Sequence, residues 1–212
     1  MEKSFTVTSL NNPKIAVQVV PGHFATRSAH RNHYIDIFDL KSSSSVAREA
    51  ARQLSIPYLS NVIVDAIVYM DGTEVIAAYL ADELLKAGAG VINQGSEIFI
   101  VTPMIRADGL FIFHQSVQEK IINKNVVLMV ASMSTGATAT RVMECLSYYR
   151  ANLVGISSVF SAVTESSGQK IHSLFTHDDI PYYHFYDPST CAMCREGRKI
   201  DAVFNSEGYT EL

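Results

Sequence analysis

The chain has 212 residues, enough for one large domain or one domain with a small appendage. A hydrophobic content of 48% with only 18% charged residues favours a well-buried globular protein over a disordered one. A formal net charge of -4 without a strongly basic block argues against nucleic acid as a partner, no apolar run is long enough to span a membrane, and the cytoplasm is the expected compartment.

From the N-terminus, residues 15–20 are β-branched and apolar and predict a strand, with a turn at Pro21-Gly22. Residues 27–39 are rich in His, Arg, Tyr and Asp. Arg27, His30, Arg31 and His33 form a basic, aromatic-flanked patch, read either as a solvated turn or dimer surface or as a hood over an anion. Ser42 to Ser45 offer N-caps for a helix that stops before Pro57. A buried strand is predicted over 61–70, a turn at Asp71-Gly72-Thr73, and a helix over 75–86 ending at Gly88. Then follow a strand over 97–101 and a loop or hairpin around Asp108-Gly109. The remaining expectations are a strand over 126–130, a helix over 138–149, a strand over 153–160, a helix over 169–175 and a last strand over 182–186. Strands alternating with helices predict an α/β fold with a mostly parallel sheet flanked by helices. Ligands of such sheets sit at the carboxyl ends of strands. That rule selects the Asp71-Gly72-Thr73 turn, the segment after Val101, and the loop 133–138.

The loop 133–138 carries the strongest signal. The apolar run Val126-Val127-Leu128-Met129-Val130 reads as a buried parallel strand. It ends in Ala131-Ser132-Met133-Ser134-Thr135-Gly136-Ala137-Thr138, where a helical pattern opens. Such a loop directs backbone N–H groups at one point and makes an anion site suited to phosphate. No Lys follows the glycine, so it is no nucleotide-triphosphate P-loop, and no G-x-G-x-x-G supports dinucleotide binding.

This stretch resembles the phosphoribosyl-diphosphate signature of type I phosphoribosyltransferases. The resemblance extends over most of the chain and is nearest the orotate branch. Gly22-His23-Phe24-Ala25-Thr26 with Tyr34-Ile35-Asp36 resembles its substrate-hood segment. Asp65-Ala66-Ile67-Val68 with Asp71-Gly72-Thr73 resembles its diphosphate strand and turn, and Cys191-Ala192-Met193-Cys194-Arg195-Glu196-Gly197 resembles a close seen in some members. The resemblance implies a single type I phosphoribosyltransferase-like domain over 1–212, with a small N-terminal hood at 1–40 and a C-terminal extension at 187–212. It implies a phosphate site at Ser134, Thr135, Gly136, Ala137 and Thr138, ribose-facing Ala131 and Ser132, and a diphosphate loop at Asp71, Gly72 and Thr73. Arg106 and His114 are its mobile-loop candidates, and Phe24 and Arg27 its hood candidates. The implied ligand is phosphoribosyl diphosphate or a nucleoside monophosphate, with Mg²⁺ if the chain is catalytic, and the implied assembly is a homodimer.

Departures from the family pattern cluster at the chemistry. Ala131 and Ser132 replace the acidic pair that holds the ribose hydroxyls. Arg106 is the one cation left in the segment 102–109, and Ser161-Ala162 replaces an Asp-Arg whose arginine meets the orotate carboxylate. Two functions stay open: a transferase moving ribose 5-phosphate between diphosphate and a nitrogenous base, and a non-catalytic nucleotide-sensing or interaction protein with a degenerate site. Three cysteines suggest no disulfide framework. Cys191 and Cys194 have metal spacing, with His177 and His184 close before them. Only one tight pair exists, so zinc is not expected, no metal ligand is assigned, and buried inert thiols are the reading. Cys145 sits in an apolar helical pattern and is assigned to the core.

Overall fold

The computed structural model describes residues 3–26, 28–86, 92–205 and 208–212. Arg27 and the helix stop at Gly88 lie outside the described residues. The chain begins with β1 (Phe5–Thr8), β2 (Ala16–Ala25), β3 (His30–Asp36), α1 (Phe38–Ser42), α2 (Ser44–Ser55), β4 (Ala66–Tyr69) and α3 (Glu74–Leu85). Its middle holds β5 (Phe99–Val101), β6 (Met104–Ile105), β7 (Phe111–Ile112), α4 (Gln115–Gln118), β8 (Asn125–Met133), α5 (Ala137–Tyr148) and β9 (Asn152–Ser161). It closes with β10 (Glu165–Ser166), β11 (Gln169–Thr176), β12 (Phe185–Tyr186), α6 (Ala192–Arg195), β13 (Ala202–Phe204) and β14 (Tyr209–Glu211).

The main sheet has the order β10-β11-β9-β8-β4-β5, and every pair except the β10–β11 edge is parallel. β8 is its middle. Val127 and Met129 face one cluster with Ala47 and Leu54 of α2 and Ile76 and Leu80 of α3, while Val126, Leu128 and Val130 face another with Ala139, Val142 and Leu146 of α5. Helices therefore cover both faces, which is why this strand reads as an unbroken apolar run rather than an alternating one. Each fully buried side chain of this size contributes roughly 1.5–3 kcal/mol. In α3 the buried positions Ile76, Ala77, Leu80, Ala81 and Leu84 form one stripe at helical spacing. On β9, Gly155 lets the Tyr58 ring lie directly on the strand, and Tyr58 exchanges a 2.9 Å hydrogen bond with Ser157.

A second sheet of order β12-β3-β2-β13-β14, with β1 on β2, makes the hood. It corrects three expectations. Pro21-Gly22 is not a turn ending a strand: β2 continues to Ala25, and the irregularity is a register shift between Pro21 and Phe24. A proline has no N–H for the ladder, and a bulge accommodates it. The last strand is only Phe185–Tyr186 and joins β3 of the hood, antiparallel, rather than the main sheet. The C-terminal segment supplies β13 beside β2 and β14 beside β13, so the hood is built from both ends of the chain. A fourth correction concerns 169–175, which is the strand β11, parallel to β9, and not a helix. Its buried Ile171, Leu174 and Phe175 mimic helical spacing, and strand pairing overrides that local pattern.

In chain order the parallel strands are β4, β5, β8, β9 and β11. β4 pairs with β5 on one side and β8 on the other, so the winding reverses between β4 and β8. Ligands of doubly wound sheets bind in the crevice outside such a reversal. The Asp71-Gly72-Thr73 turn follows β4 and the loop 134–138 follows β8, one on each side of that crevice.

Candidate functional site

A cleft of about 230 Å³ opens at this point between the carboxyl edge of the sheet and the hood. The sheet side is formed by Asp71, Val130 to Ala139 and Phe160, and the hood side by Thr26, Arg31, Tyr34, Phe204 and Asn205, with Phe38 and Lys41 of α1 between them. Its size lies below the roughly 300–1,000 Å³ of drug-sized pockets and suits a sugar phosphate or small nucleotide fragment.

The loop after β8 forms the floor. Gly136 has φ +76 and is the N-cap of α5, with no side-chain cap. Left-handed backbone is what glycine adopts at little cost. The first-turn N–H groups of α5 have no intrahelical acceptors and carry the positive end of the helix dipole. Ala137 N–H makes a long 3.4 Å contact with Thr135 Oγ1, and Ser134 Oγ accepts 2.7 Å from Arg31 Nη2. All five predicted phosphate residues, Ser134, Thr135, Gly136, Ala137 and Thr138, line the cleft.

Arg31 reaches down from β3. Its guanidinium lies 4.6 Å over the Phe204 ring, and its Nε is buried without a hydrogen-bond partner among the described residues. A second cation comes from α1, where Lys41 Nζ donates to the Asp71 carbonyl at 3.3 Å. Asp71 has φ 56 and Gly72 φ 74, a tight left-handed turn. Burial raises the Asp71 carboxyl above its ordinary value, and Lys41 partly opposes the rise. Thr73 is fully buried and donates from Oγ1 to Met70 O at 2.7 Å and to Met129 O at 3.3 Å. The turn is thereby pinned to β8, and of its three residues Asp71 alone lines the cleft.

Ala131 and Ser132 both line the cleft, Ala131 buried in the core beneath it and Ser132 exposed at its surface. Phe24 is fully buried in the hood against Tyr34 and Tyr209 and is not part of the cleft wall. Arg106 is exposed on the β6–β7 hairpin and paired with Asp108 at 3.3 Å, and His114 is the exposed N-cap of α4; neither lines the cleft. Ser161 turns its hydroxyl to Val163 O at 2.6 Å. Sequence reasoning missed Lys41, Phe204 and Asn205. Lys41 sits on a five-residue helix without periodicity, Phe204 ends a three-residue strand and Asn205 follows it.

Behind β3, on the face opposite Arg31, His23, His30, Cys191 and Cys194 bring four ligand atoms within 4.8 Å of one another. His177 and His184 take no part in this group. His177 pairs with Asp178, and His184 lies beside Tyr186.

Among solved structures, the UMP synthase of Leishmania donovani superposes with a TM-score of 0.55 at 19% identity, covering 77% of this chain and 34% of that one. A phosphoribosyltransferase from Corynebacterium diphtheriae superposes at 0.50 and 16% identity, covering 76% of this chain and 90% of that one. The fold is that of the type I phosphoribosyltransferases. The chain spans about a third of the length of the UMP synthase, with 34% covered. No family model matches the sequence, and no curated protein matches it either. The expected phosphoribosyltransferase fold, with its mostly parallel sheet and flanking helices, is thus established, and the likeness is one of fold. No helix among the described residues is long and apolar enough to cross a membrane.

Proposed function

We propose that this is a phosphoribosyltransferase-like protein that binds a ribose 5-phosphate group, as phosphoribosyl diphosphate or a nucleoside monophosphate, with the 5′-phosphate on the loop 134–138. One observation carries the reading: at the reversal of strand order, the Arg31 guanidinium reaches Ser134 at 2.7 Å, two residues before the Gly136 N-cap of α5, so an arginine and a helix opening line the same cleft. Helix N-termini and arginine forks are the two protein groups best matched to phosphate oxygens. Lys41 adds a cation on the opposite wall, where a diphosphate or base-side anion would lie.

Binding is favoured over turnover by the carboxylate inventory. Among the described lining residues Asp71 is the only acid, and Ala131 and Ser132 present no charged acceptor to a ribose diol. Mg²⁺ commonly takes one or two carboxylates together with substrate phosphates. Asp71 meets that minimum and would hold the ion when a diphosphate supplies the remaining oxygens; the ion would neutralise a diphosphate leaving group. Phosphoribosyl transfer is the second reading, and Asp71 beside Lys41 is the observation in its favour.

Thermal stabilisation by ribose 5-phosphate, nucleoside monophosphates and phosphoribosyl diphosphate tests the proposal, with the unphosphorylated nucleosides as controls. A ligand at a hundred times its Kd should add about 2.7 kcal/mol. Stabilisation by the phosphorylated compounds alone is expected, and equal effects of nucleoside and nucleotide would refute it. Diphosphate release from phosphoribosyl diphosphate over a panel of bases with Mg²⁺ decides between binder and transferase.

A further inference from the structure

Strand pairing sets two histidines side by side. Ala25 of β2 lies opposite His30 of β3. His23 precedes Ala25 by two residues and shares its face, so His23 and His30 are diagonal neighbours on one face of the hood. His23 Nε2 is 3.0 Å from His30 Nδ1. From the other end of the chain, Cys191 and Cys194 stand three residues apart at the start of α6, a spacing that puts both thiols on one side of the turn. Each sulfur is 3.7 Å from His23 Nε2, and Cys194 Sγ is 3.3 Å from His30 Nδ1.

These separations match the edges of a coordination tetrahedron. With Zn–N near 2.0–2.1 Å and Zn–S near 2.3 Å, tetrahedral edges are about 3.3 Å for N···N, about 3.6 Å for N···S and about 3.8 Å for S···S. Four of the six donor separations stand at 3.0–3.7 Å, near such edges, and all four donor atoms lie within 4.8 Å of one another.

The surroundings orient the donors inward. His23 Nδ1 lies 3.2 and 3.1 Å from the carbonyl oxygens of Arg198 and Lys199. Carbonyls only accept, so Nδ1 carries the proton and Nε2 directs its lone pair at the cysteines. The His23 backbone N–H donates to Asp201 Oδ2 at 2.6 Å. The chain returns to this point through a left-handed turn at Gly197, φ +75, whose N–H reaches Cys194 O at 3.0 Å while the Arg198 N–H reaches Met193 O at 2.9 Å. His23, His30 and Cys191 are buried and only Cys194 is exposed. The third cysteine, Cys145, lies on the core face of α5 and is separate from the group.

We propose that His23, His30, Cys191 and Cys194 form a tetrahedral zinc site that clamps the C-terminal segment to the hood. Two thiolates and two imidazoles suit a borderline-soft ion without geometric preference of its own. Four protein ligands close the coordination sphere, which is the pattern of a structural rather than a catalytic zinc. Binding releases the thiol protons and leaves a neutral group in place of three buried polar side chains and one exposed one. The site backs directly onto the cleft, because His30 and Arg31 are adjacent on β3 and point to opposite faces.

Metal analysis of the full chain, expressed with zinc supplementation and purified without a metal-affinity step, tests the proposal. The expected result is about one tightly held zinc per chain, and on replacement by Co²⁺ the visible and near-ultraviolet bands of tetrahedral thiolate-bound cobalt. Cys194→Ser and His30→Ala should each reduce the zinc content at least tenfold, with Cys145→Ser retaining it. If the ligand variants fail to fold, the zinc content and cobalt spectrum of the wild type decide alone. A wild type without stoichiometric zinc, one that carries iron instead, one isolated with a Cys191–Cys194 disulfide, or retention of zinc by a Cys191→Ser/Cys194→Ser double variant would overturn the assignment.

Discussion

Arg31 and Ser134 join the two halves of the molecule: the hood arginine donates from Nη2 to the Ser134 hydroxyl at the mouth of the loop 134–138, at 2.7 Å. The pair stands where the proposed phosphate would bind, so Arg31 is placed to contact that phosphate as well as Ser134. The guanidinium has five N–H donors, and the bond to Ser134 engages one of them. A charge-assisted hydrogen bond contributes about 1.5–3 kcal/mol. Arg31→Ala should therefore weaken nucleoside monophosphate binding about ten- to a hundredfold, as measured by calorimetry. Arg31→Lys should recover only part of the loss, because an ammonium has no fork.

Asp71 gives a pH signature. Burial raises its carboxyl in the folded protein, so ionisation costs stability. Such a group contributes fully below the ordinary carboxylate value and loses that contribution as pH rises through the elevated folded value. Asp71→Asn should raise Tm at pH 7 relative to wild type, and the difference should vanish below about pH 4. It should also tighten phosphate binding at pH 7 by removing a negative charge from the cleft wall.

Gly155 makes a purely structural prediction. A Cβ there would overlap the Tyr58 ring, which is held by Ser157 at 2.9 Å. Overpacking of this kind costs about 1–3 kcal/mol. Gly155→Ala should lower Tm by several degrees in a melting experiment, while Tyr58→Phe, which removes one hydrogen bond, should cost about 0.5–1.5 kcal/mol.

How far the fold could be read from the sequence follows from where the physics is local. β8 and α5 were legible because an unbroken apolar run needs cover on both faces and a Ser/Thr/Gly break then opens a helix. β11 was misread because Ile171, Leu174 and Phe175 copy a helical stripe, and only pairing with β9 decides otherwise. The cleft was half legible. Its floor is one contiguous loop, but Lys41, Phe204 and Asn205 arrive from short elements with no periodicity. The Cys191–Cys194 pair looked incomplete for the same reason: its two imidazoles come from strands more than 160 residues earlier, as the 171-residue separation of Cys194 from His23 shows.

Ser132 offers a gain-of-function test of the proposed ribose position. With no charged acceptor facing the sugar, the wild type should bind ribo- and 2′-deoxyribonucleoside monophosphates with similar affinity. Restoring an acid at the family's pair has unequal prospects at the two positions. Ala131 lies in the core, where a lone carboxylate is costly to bury, whereas Ser132 is exposed in the cleft. Ser132→Asp alone should favour ribose over deoxyribose by about tenfold, equivalent to about 1.4 kcal/mol. Ala131→Asp should chiefly destabilise the protein, as a melting curve will show.

Calorimetric titration of the wild type and Gly136→Val with a nucleoside monophosphate and its parent nucleoside tests the phosphate-loop assignment most directly. Gly136 holds φ +76, and a Cβ there would sit 3.4 Å from Ser166 Oγ, so valine strains the loop and obstructs the approach of the phosphate to its N–H groups. The expected result is nucleotide binding by the wild type, with the nucleoside at least tenfold weaker, and loss of that preference in a folded Gly136→Val. Undiminished nucleotide affinity in the variant, or a wild type indifferent to the phosphate, would contradict the account.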